Sequence, residues 1–320
     1  MFSLRLPIAL KNTLITNPAP SSHHHYSRYQ SHRFPSQPMV VTKRGSGTTA
    51  AAPIPNTALE YEAEGRSSSP DEDLLLMPAE LKEELMPKHV ALIMDGNRRW
   101  AKMRGLPPVE GYVALVQPLR RVVKLCLSWG IKIFTIFLLS TENWVLRPKL
   151  EVQFLLSLFE RTMNCEVEAI MRERIKISVI GDSSKLPKSL QKMIAIIEEK
   201  TKDNSRLHLI VAINYGGRYD VVQACKSVTK KVQDRIIHLE DIDENIIKND
   251  LETKCIEFPY PDLLIRTGGE LRVSNFLLWQ LAYTELFFNR KLWPDFEKND
   301  FVEALSSFQQ RERRYVGAQH

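Results

Sequence analysis

From about residue 88 onward the chain alternates two kinds of apolar run. One kind is short and apolar nearly throughout: residues 89–95, 131–140, 176–181, 207–214, 262–266 and a brief 286–288. The other is longer, with apolar residues recurring every three or four positions: 115–129, 152–174, 187–202 and 219–232. The first kind predicts strands buried on both faces, the second amphipathic helices that cover them. Strand and helix in alternation give an α/β fold: a single domain with a mainly parallel, roughly six-stranded sheet flanked by helices. Residues 78–86 predict one short leading helix, with Pro78 in its first turn and Pro87 closing it.

Ligands of a parallel sheet collect at the carboxyl ends of its strands. Those ends carry the unusual residues here. The first reaches Asp95, then Gly96, Asn97, Arg98, Arg99 and Trp100. The second closes on Ser140, Thr141, Glu142, Asn143 and Trp144, with Arg147 and Lys149 beyond. The fourth runs into Asn214, Tyr215, Gly216, Gly217 and Arg218, and the fifth into Arg266, Thr267, Gly268, Gly269 and Glu270.

A carboxylate at a strand end, a glycine turn, free backbone N–H groups and two guanidiniums suit a metal-bound polyphosphate. Arg266 and Arg272 flank the Gly268–Gly269 turn and Ser274 follows, which makes a second anion pocket. A hard cation with few protein oxygens, the rest supplied by phosphate, points to Mg²⁺; Asp95 is one ligand and Glu285 can bring a second carboxylate. Other readings stay open on these residues alone. Asp95 can be a helix N-cap, Asn143 can close an Asx turn, and the arginines around Gly268 can be solvated charges on an ordinary turn.

Composition narrows the partners. At 320 residues and 43% hydrophobic content the chain can bury one large core with length to spare. A net charge of +6 favours an anionic partner without choosing one, but much of the excess lies in the N-terminal segment, against a continuous nucleic-acid surface. Cys126, Cys165, Cys225 and Cys255 are far apart with no CxxC pair, so neither a disulfide framework nor a zinc site is expected. No apolar run reaches the length of a membrane span, which leaves only peripheral membrane contact. Residues 1–59 contain no Asp or Glu and are rich in Ser, Thr, Pro and scattered Arg and Lys, the composition of a plastid transit peptide or a plain disordered tail; His23, His24 and His25 belong to it. Residues 60–77 read as an acidic linker, and 78–320 as the catalytic domain.

The motifs HVALIMDGNRRWAK, FLLSTENW, INYGGRYD, DLLIRTGGELRVSNFLLWQLAYTELFF, LWPDF and RERRY stand in order across residues 89–315. On them the chain resembles the cis-prenyltransferases, the family of undecaprenyl and dehydrodolichyl diphosphate synthases. The resemblance implies a domain enclosing a hydrophobic tunnel and an Mg²⁺-dependent condensation of isopentenyl diphosphate with an allylic diphosphate, forming a Z double bond. It implies Asp95 and Asn143 as catalytic residues. Gly96, Asn97, Arg98, Arg99, Trp100 and Tyr112 fall at the allylic diphosphate pocket, and Ser140, Thr141, Glu142, Trp144 and Arg147 at substrate contacts. Arg266, Arg272, Val273 and Ser274 match the isopentenyl diphosphate site, and Asp95 with Glu285 the metal ligands. Homologues are dimers in which the RERR tail reaches the neighbour, and plastid stroma is the expected location.

Two departures from the family pattern stand out. Tyr112 replaces a histidine in a segment, Pro107 to Leu115, that also lacks a usual arginine, and ENWVLRP carries one residue more than its counterparts before Arg147. Leu138, where long-chain members carry alanine, implies a short or medium product. A non-catalytic partner subunit of a heteromeric enzyme is the alternative.

Overall fold

The computed structural model describes residues 75–311. Six strands, β1 His89–Ile93, β2 Ile133–Ser140, β3 Ile175–Ile180, β4 Leu207–Tyr215, β5 Leu263–Arg266 and β6 Glu285–Phe288, form one sheet in the order β3-β4-β2-β1-β5-β6. Every neighbouring pair is parallel. The helices are α1 Asn97–Met103, α2 Pro108–Ala114, α3 Val116–Ser128, α4 Thr141–Leu146, α5 Lys149–Arg172, α6 Lys188–Thr201, α7 Gly217–Gln233, α8 Glu244–Lys248 and α9 Lys298–Gln309. The single-domain parallel sheet read from the apolar runs is the one observed.

All of β1 and β5, and nearly all of β2 and β4, is buried, as their unbroken apolar runs require. Alternate residues feed two cores. Val90, Leu92, Phe134 and Ile136 pack with α3, α5, α6 and α9 on one face, while Ala91, Ile93, Ile133 and Phe137 pack with Tyr215, Phe276 and Leu277 on the other. From central β1 the chain builds outward on one side through β2, β3 and β4, then crosses to lay β5 and β6 on the other. The carboxyl end of β1 is therefore the point where the strand order reverses, the place such a sheet leaves open for a ligand.

Near their ends β2 and β4 slip and recover. Phe137 faces Ala212 and Leu139 faces Ile213, so Leu138 is an extra residue on β2; Ser140 then faces Tyr215, so Asn214 is an extra residue on β4. Asn214 takes φ +52°, which fits a bulged position.

Several elements differ from expectation. Residues 78–86 form a turn and a single 3₁₀ turn, Glu83–Leu85, because Lys82 is extended and Leu81 is pinned in the core. Helix α2 begins at Pro108, whose missing N–H costs nothing at a first helical position. Helix α4 replaces a predicted turn, and α9 was not predicted at all. Cys126 is buried and Cys165 and Cys225 are exposed, all as free thiols. No helix among the described residues is long and apolar enough to cross a membrane. The expected transit segment, the linker as far as residue 74 and the RERRY tail beyond Arg311 lie outside the described residues.

Candidate active site

Strand β1 delivers Asp95 to the rim of a cleft of about 270 Å³ lined by Met94, Asp95, Gly96, Asn97, Arg98, Arg99, Tyr112, Asn143 and Arg147. Three guanidiniums against one carboxylate give it a positive lining suited to an anion. The Asp95 backbone is tied on both sides: its N–H donates to Thr267 Oγ1 at 2.9 Å and its carbonyl accepts from Thr267 Oγ1 at 2.8 Å and from Trp293 N at 3.0 Å. Its Oδ1 accepts from Gly96 N at 2.6 Å and lies 3.6 Å from Arg99 Nη2. Its Oδ2 accepts from Arg266 Nη2 at 2.7 Å.

Arg266 is the buried member of that pair, with its side chain only 5% exposed. Besides Asp95 it donates from Nη1 to Ser274 Oγ at 2.7 Å and to the carbonyl of Arg272, while its Nε has no hydrogen-bond partner. A buried guanidinium with a donor to spare is a ready place for another acceptor oxygen. The adjoining turn needs glycine at Gly268, where φ is +86° and a Cβ would meet Arg99 Nη2 at 2.7 Å. Arg272 itself turns outward: its guanidinium goes to Glu270 at 2.6 Å, and Glu270 also holds Arg99 at 3.5 Å. Val273 packs on the second core.

The second strand arrives through α4. Ser140 Oγ caps that helix by accepting from Asn143 N at 3.0 Å, which sets Asn143 on the cleft wall. Glu142 accepts from Asn275 Nδ2 at 2.6 Å, and Asn275 in turn receives Gly217 N and Arg218 N from the end of β4. Burial alone would raise the Glu142 carboxyl, but its hydrogen bonds outweigh that and hold it below the usual range. Thr141 packs against Gly216, and Trp144 is half-buried against the first core. Residues from all four strand ends are thus tied together, as the sequence pattern implies.

Tyr112, on α2, is buried with its ring under Arg147, whose guanidinium lies 5.6 Å from the ring centre. The phenol donates to Glu151 Oε2 at 2.8 Å and accepts from Arg147 Nη1 at 2.8 Å, and Glu151 Oε2 is 3.4 Å from Arg98 Nε. Burial is the main reason the phenol is pushed up to about 12. Glu151 is the residue that sequence reasoning missed, since an acid in the first turn of a long helix reads as ordinary charge matching.

Two expected residues are placed elsewhere. Trp100 does not line the cleft; its indole donates to Asp295 at 2.7 Å and lies under Arg104. Glu285 is not brought to Asp95 within one chain. It pairs with Leu263, which pairs with Val90, so it starts β6 at the opposite end of the sheet. Asp95 lies five residues past Val90, roughly 16 Å along the strand direction, and the Glu285 carboxylate accepts from Arg311 instead. Among the described residues no group of three or more His, Cys, Asp or Glu could hold a metal. The donor set fits a cation held by Asp95 together with phosphate oxygens, as Mg²⁺ commonly is.

A family model described as putative undecaprenyl diphosphate synthase matches residues 93–316. The chain belongs to this cis-prenyltransferase family. It is 62% identical over 239 residues to cis-prenyltransferase 4, chloroplastic, of Solanum lycopersicum, covering 75% of this chain and 77% of the relative. It is 60% identical over 241 residues to dehydrodolichyl diphosphate synthase 2 of Arabidopsis thaliana, with the same coverages, 75% and 77%. Among solved structures, lavandulyl diphosphate synthase from Lavandula x intermedia, crystallised with dimethylallyl diphosphate, is 42% identical with a TM-score of 0.70, covering 72% of this chain and 98% of that one. As in other cis-prenyltransferases the sheet is the frame, and the residues that differ from the family pattern, Tyr112 and Arg147, meet on one wall of the cleft.

Proposed function

We propose that this cis-prenyltransferase condenses isopentenyl diphosphate with an allylic diphosphate, in the presence of Mg²⁺, to give a Z-prenyl diphosphate of short to medium length. The observation that carries the reading is the Asp95–Arg266 pair at the reversal of the strand order, beside a cleft lined by Arg98, Arg99 and Arg147. In this reading the allylic diphosphate lies against the N-terminus of α1 and those three guanidiniums. Isopentenyl diphosphate is held by Arg266, with Ser274 and the backbone near Arg272 orienting that side chain.

The allylic C–O bond breaks as the alkene of isopentenyl diphosphate attacks the allylic carbon; the new C–C bond forms and a proton leaves the isopentenyl unit. Guanidiniums aimed at the departing diphosphate stabilise the charge it gains, and Asn143 orients the oxygen that takes the proton. When bound, Mg²⁺ adds charge neutralisation at that leaving group, with Asp95 as its protein ligand. Holding the two substrates in register supplies much of the remaining acceleration.

Elongation buries more apolar chain at each step, about 25 cal/mol per Å², so a steric floor has to stop it. Leu138, the extra residue of β2, packs half-buried against the first core and is the floor in this reading, at the base of a hydrophobic tunnel beneath α3 and α5. Relatives named chloroplastic and the acid-free segment 1–59 support a plastid location, with a mature N-terminus between roughly residues 40 and 75. The protomers act as a homodimer.

The test is turnover by the purified chain with labelled isopentenyl diphosphate, Mg²⁺ and allylic donors from five to twenty carbons. Short Z-products from at least one donor, lost in Asp95→Ala, are expected. No product from any donor would overturn the reading in favour of a non-catalytic partner subunit.

A further inference from the structure

We propose that Glu151 is a positioning residue of the anion cleft, one carboxylate that sets Arg98 directly and Arg147 through Tyr112; the inference rests on the diphosphate reading above. Glu151 stands in the first turn of α5 with its side chain 13% exposed, and it is not among the residues that line the cleft. Whatever it does to a bound anion it does through its neighbours.

Its Oε2 takes the Tyr112 O–H at 2.8 Å and faces Arg98 Nε at 3.4 Å. A phenol has one hydrogen to give, so donating it to Glu151 leaves the Tyr112 lone pairs for Arg147 Nη1 at 2.8 Å. The same ring lies against the Arg147 guanidinium at 5.6 Å. Arg147 is thereby fixed by one N–H and one face, and its other donors are left for the cleft it lines. Long cationic side chains lose rotamer freedom when they clasp an anion, and fixing them beforehand lowers that loss. The carboxylate would repel an anion if it stood on the cleft surface. Placed behind Tyr112 and matched by Arg98, it orders two cations while keeping its own charge covered.

The arrangement also joins three helices, since Arg98 comes from α1, Tyr112 from α2 and Glu151 from α5. A purely structural tie would show in stability alone. A positioning role shows in anion affinity and in how the two side chains depend on each other.

The experiment measures inorganic pyrophosphate binding by calorimetry in Mg²⁺, with steady-state kinetics and melting temperature alongside, for the wild-type chain, Glu151→Ala, Glu151→Gln, Tyr112→Phe and the Tyr112→Phe/Glu151→Ala double variant. Glu151→Ala is expected to weaken pyrophosphate binding and raise KM for the allylic donor about tenfold, with kcat changed by less than about threefold. Glu151→Gln, which keeps an acceptor for the phenol, recovers most of that loss. Tyr112→Phe alone weakens binding about fivefold, yet adds little in the Glu151→Ala background, because the relay to Arg147 is already broken. Wild-type affinity in Glu151→Ala at an unchanged melting temperature would overturn the proposal, and so would losses that simply add. If Glu151→Ala does not fold, Tyr112→Phe decides: retained pyrophosphate affinity overturns the proposal, reduced affinity supports it. Pyrophosphate binding without turnover in the wild-type chain would break the functional reading, while the comparison among variants still decides the role of Glu151.

Discussion

Arg266 holds more of the site together than any other single side chain, because it is buried and reaches Asp95, Ser274 and the Arg272 carbonyl at once. Arg266→Met keeps most of the volume and removes every one of these bonds. Turnover with isopentenyl diphosphate should fall at least about a hundredfold, read as initial rates at saturating allylic donor. Leu138→Ala should leave the rate of the first condensation within about threefold and lengthen the product, seen by chromatography of dephosphorylated prenols; an unchanged distribution would discard Leu138 as the floor. Asp95, Arg266 and Ser274 were readable in the sequence because acids and arginines at the ends of apolar strands have few structural uses. Glu151 was not, since nothing in a string of residues shows that an acid on one helix touches a tyrosine 39 positions earlier. Tyr112 and Arg147 were each visible as departures from the family pattern, but that they bond to each other is a fact of three dimensions.

At the scale of elements, the junction of α1 and α2 is closed by a contact that tolerates no side chain. A Cβ on Gly111 would fall on the carbonyl of Asn97, the first residue of α1. Gly111→Ala should therefore push α2 away, costing about 1–3 kcal/mol as overpacking does. Urea denaturation would measure the loss, and pyrophosphate affinity should drop with it because Tyr112 travels with α2. The strands were legible to within a few residues since their apolar runs are unbroken. The missed helices failed for separate reasons. In α2 the Pro107–Pro108 pair looks like a loop until Pro108 is placed at the first helical position. In α4 the polar run hides a cap, the Ser140 hydroxyl on Asn143 N. For α9 the signal was present and went unused, as Phe301, Val302, Ala304, Leu305 and Phe308 follow helical spacing.

The sheet as a whole carries a dependence on pH. His89, at the start of central β1, is fully buried between Thr135 and the Phe258 carbonyl, and burial lowers its pKa to about 3. His208 on β4 is lowered to about 4, again chiefly by burial. Both depressed values mean that the unfolded chain binds protons near pH 6.5 while the folded chain does not. Stability is therefore full above that pH and declines as pH falls toward 4, with each histidine adding up to about 1.4 kcal/mol per pH unit. Urea midpoints between pH 7.5 and 5 should fall, and His89→Gln should flatten the slope. The paired bulges of β2 and β4 set a further condition on the whole sheet. Each strand gains one residue just before its end, so the two leave level with each other at Ser140 and Tyr215. Dropping Leu138 alone would roll Ser140 to the opposite side of the pleat and carry Asn143 with it, whereas shortening both strands together would not. Length changes in this part of the molecule are thus admissible only as a matched set, and a new product size has to come from exchanging side chains on a backbone that keeps its count.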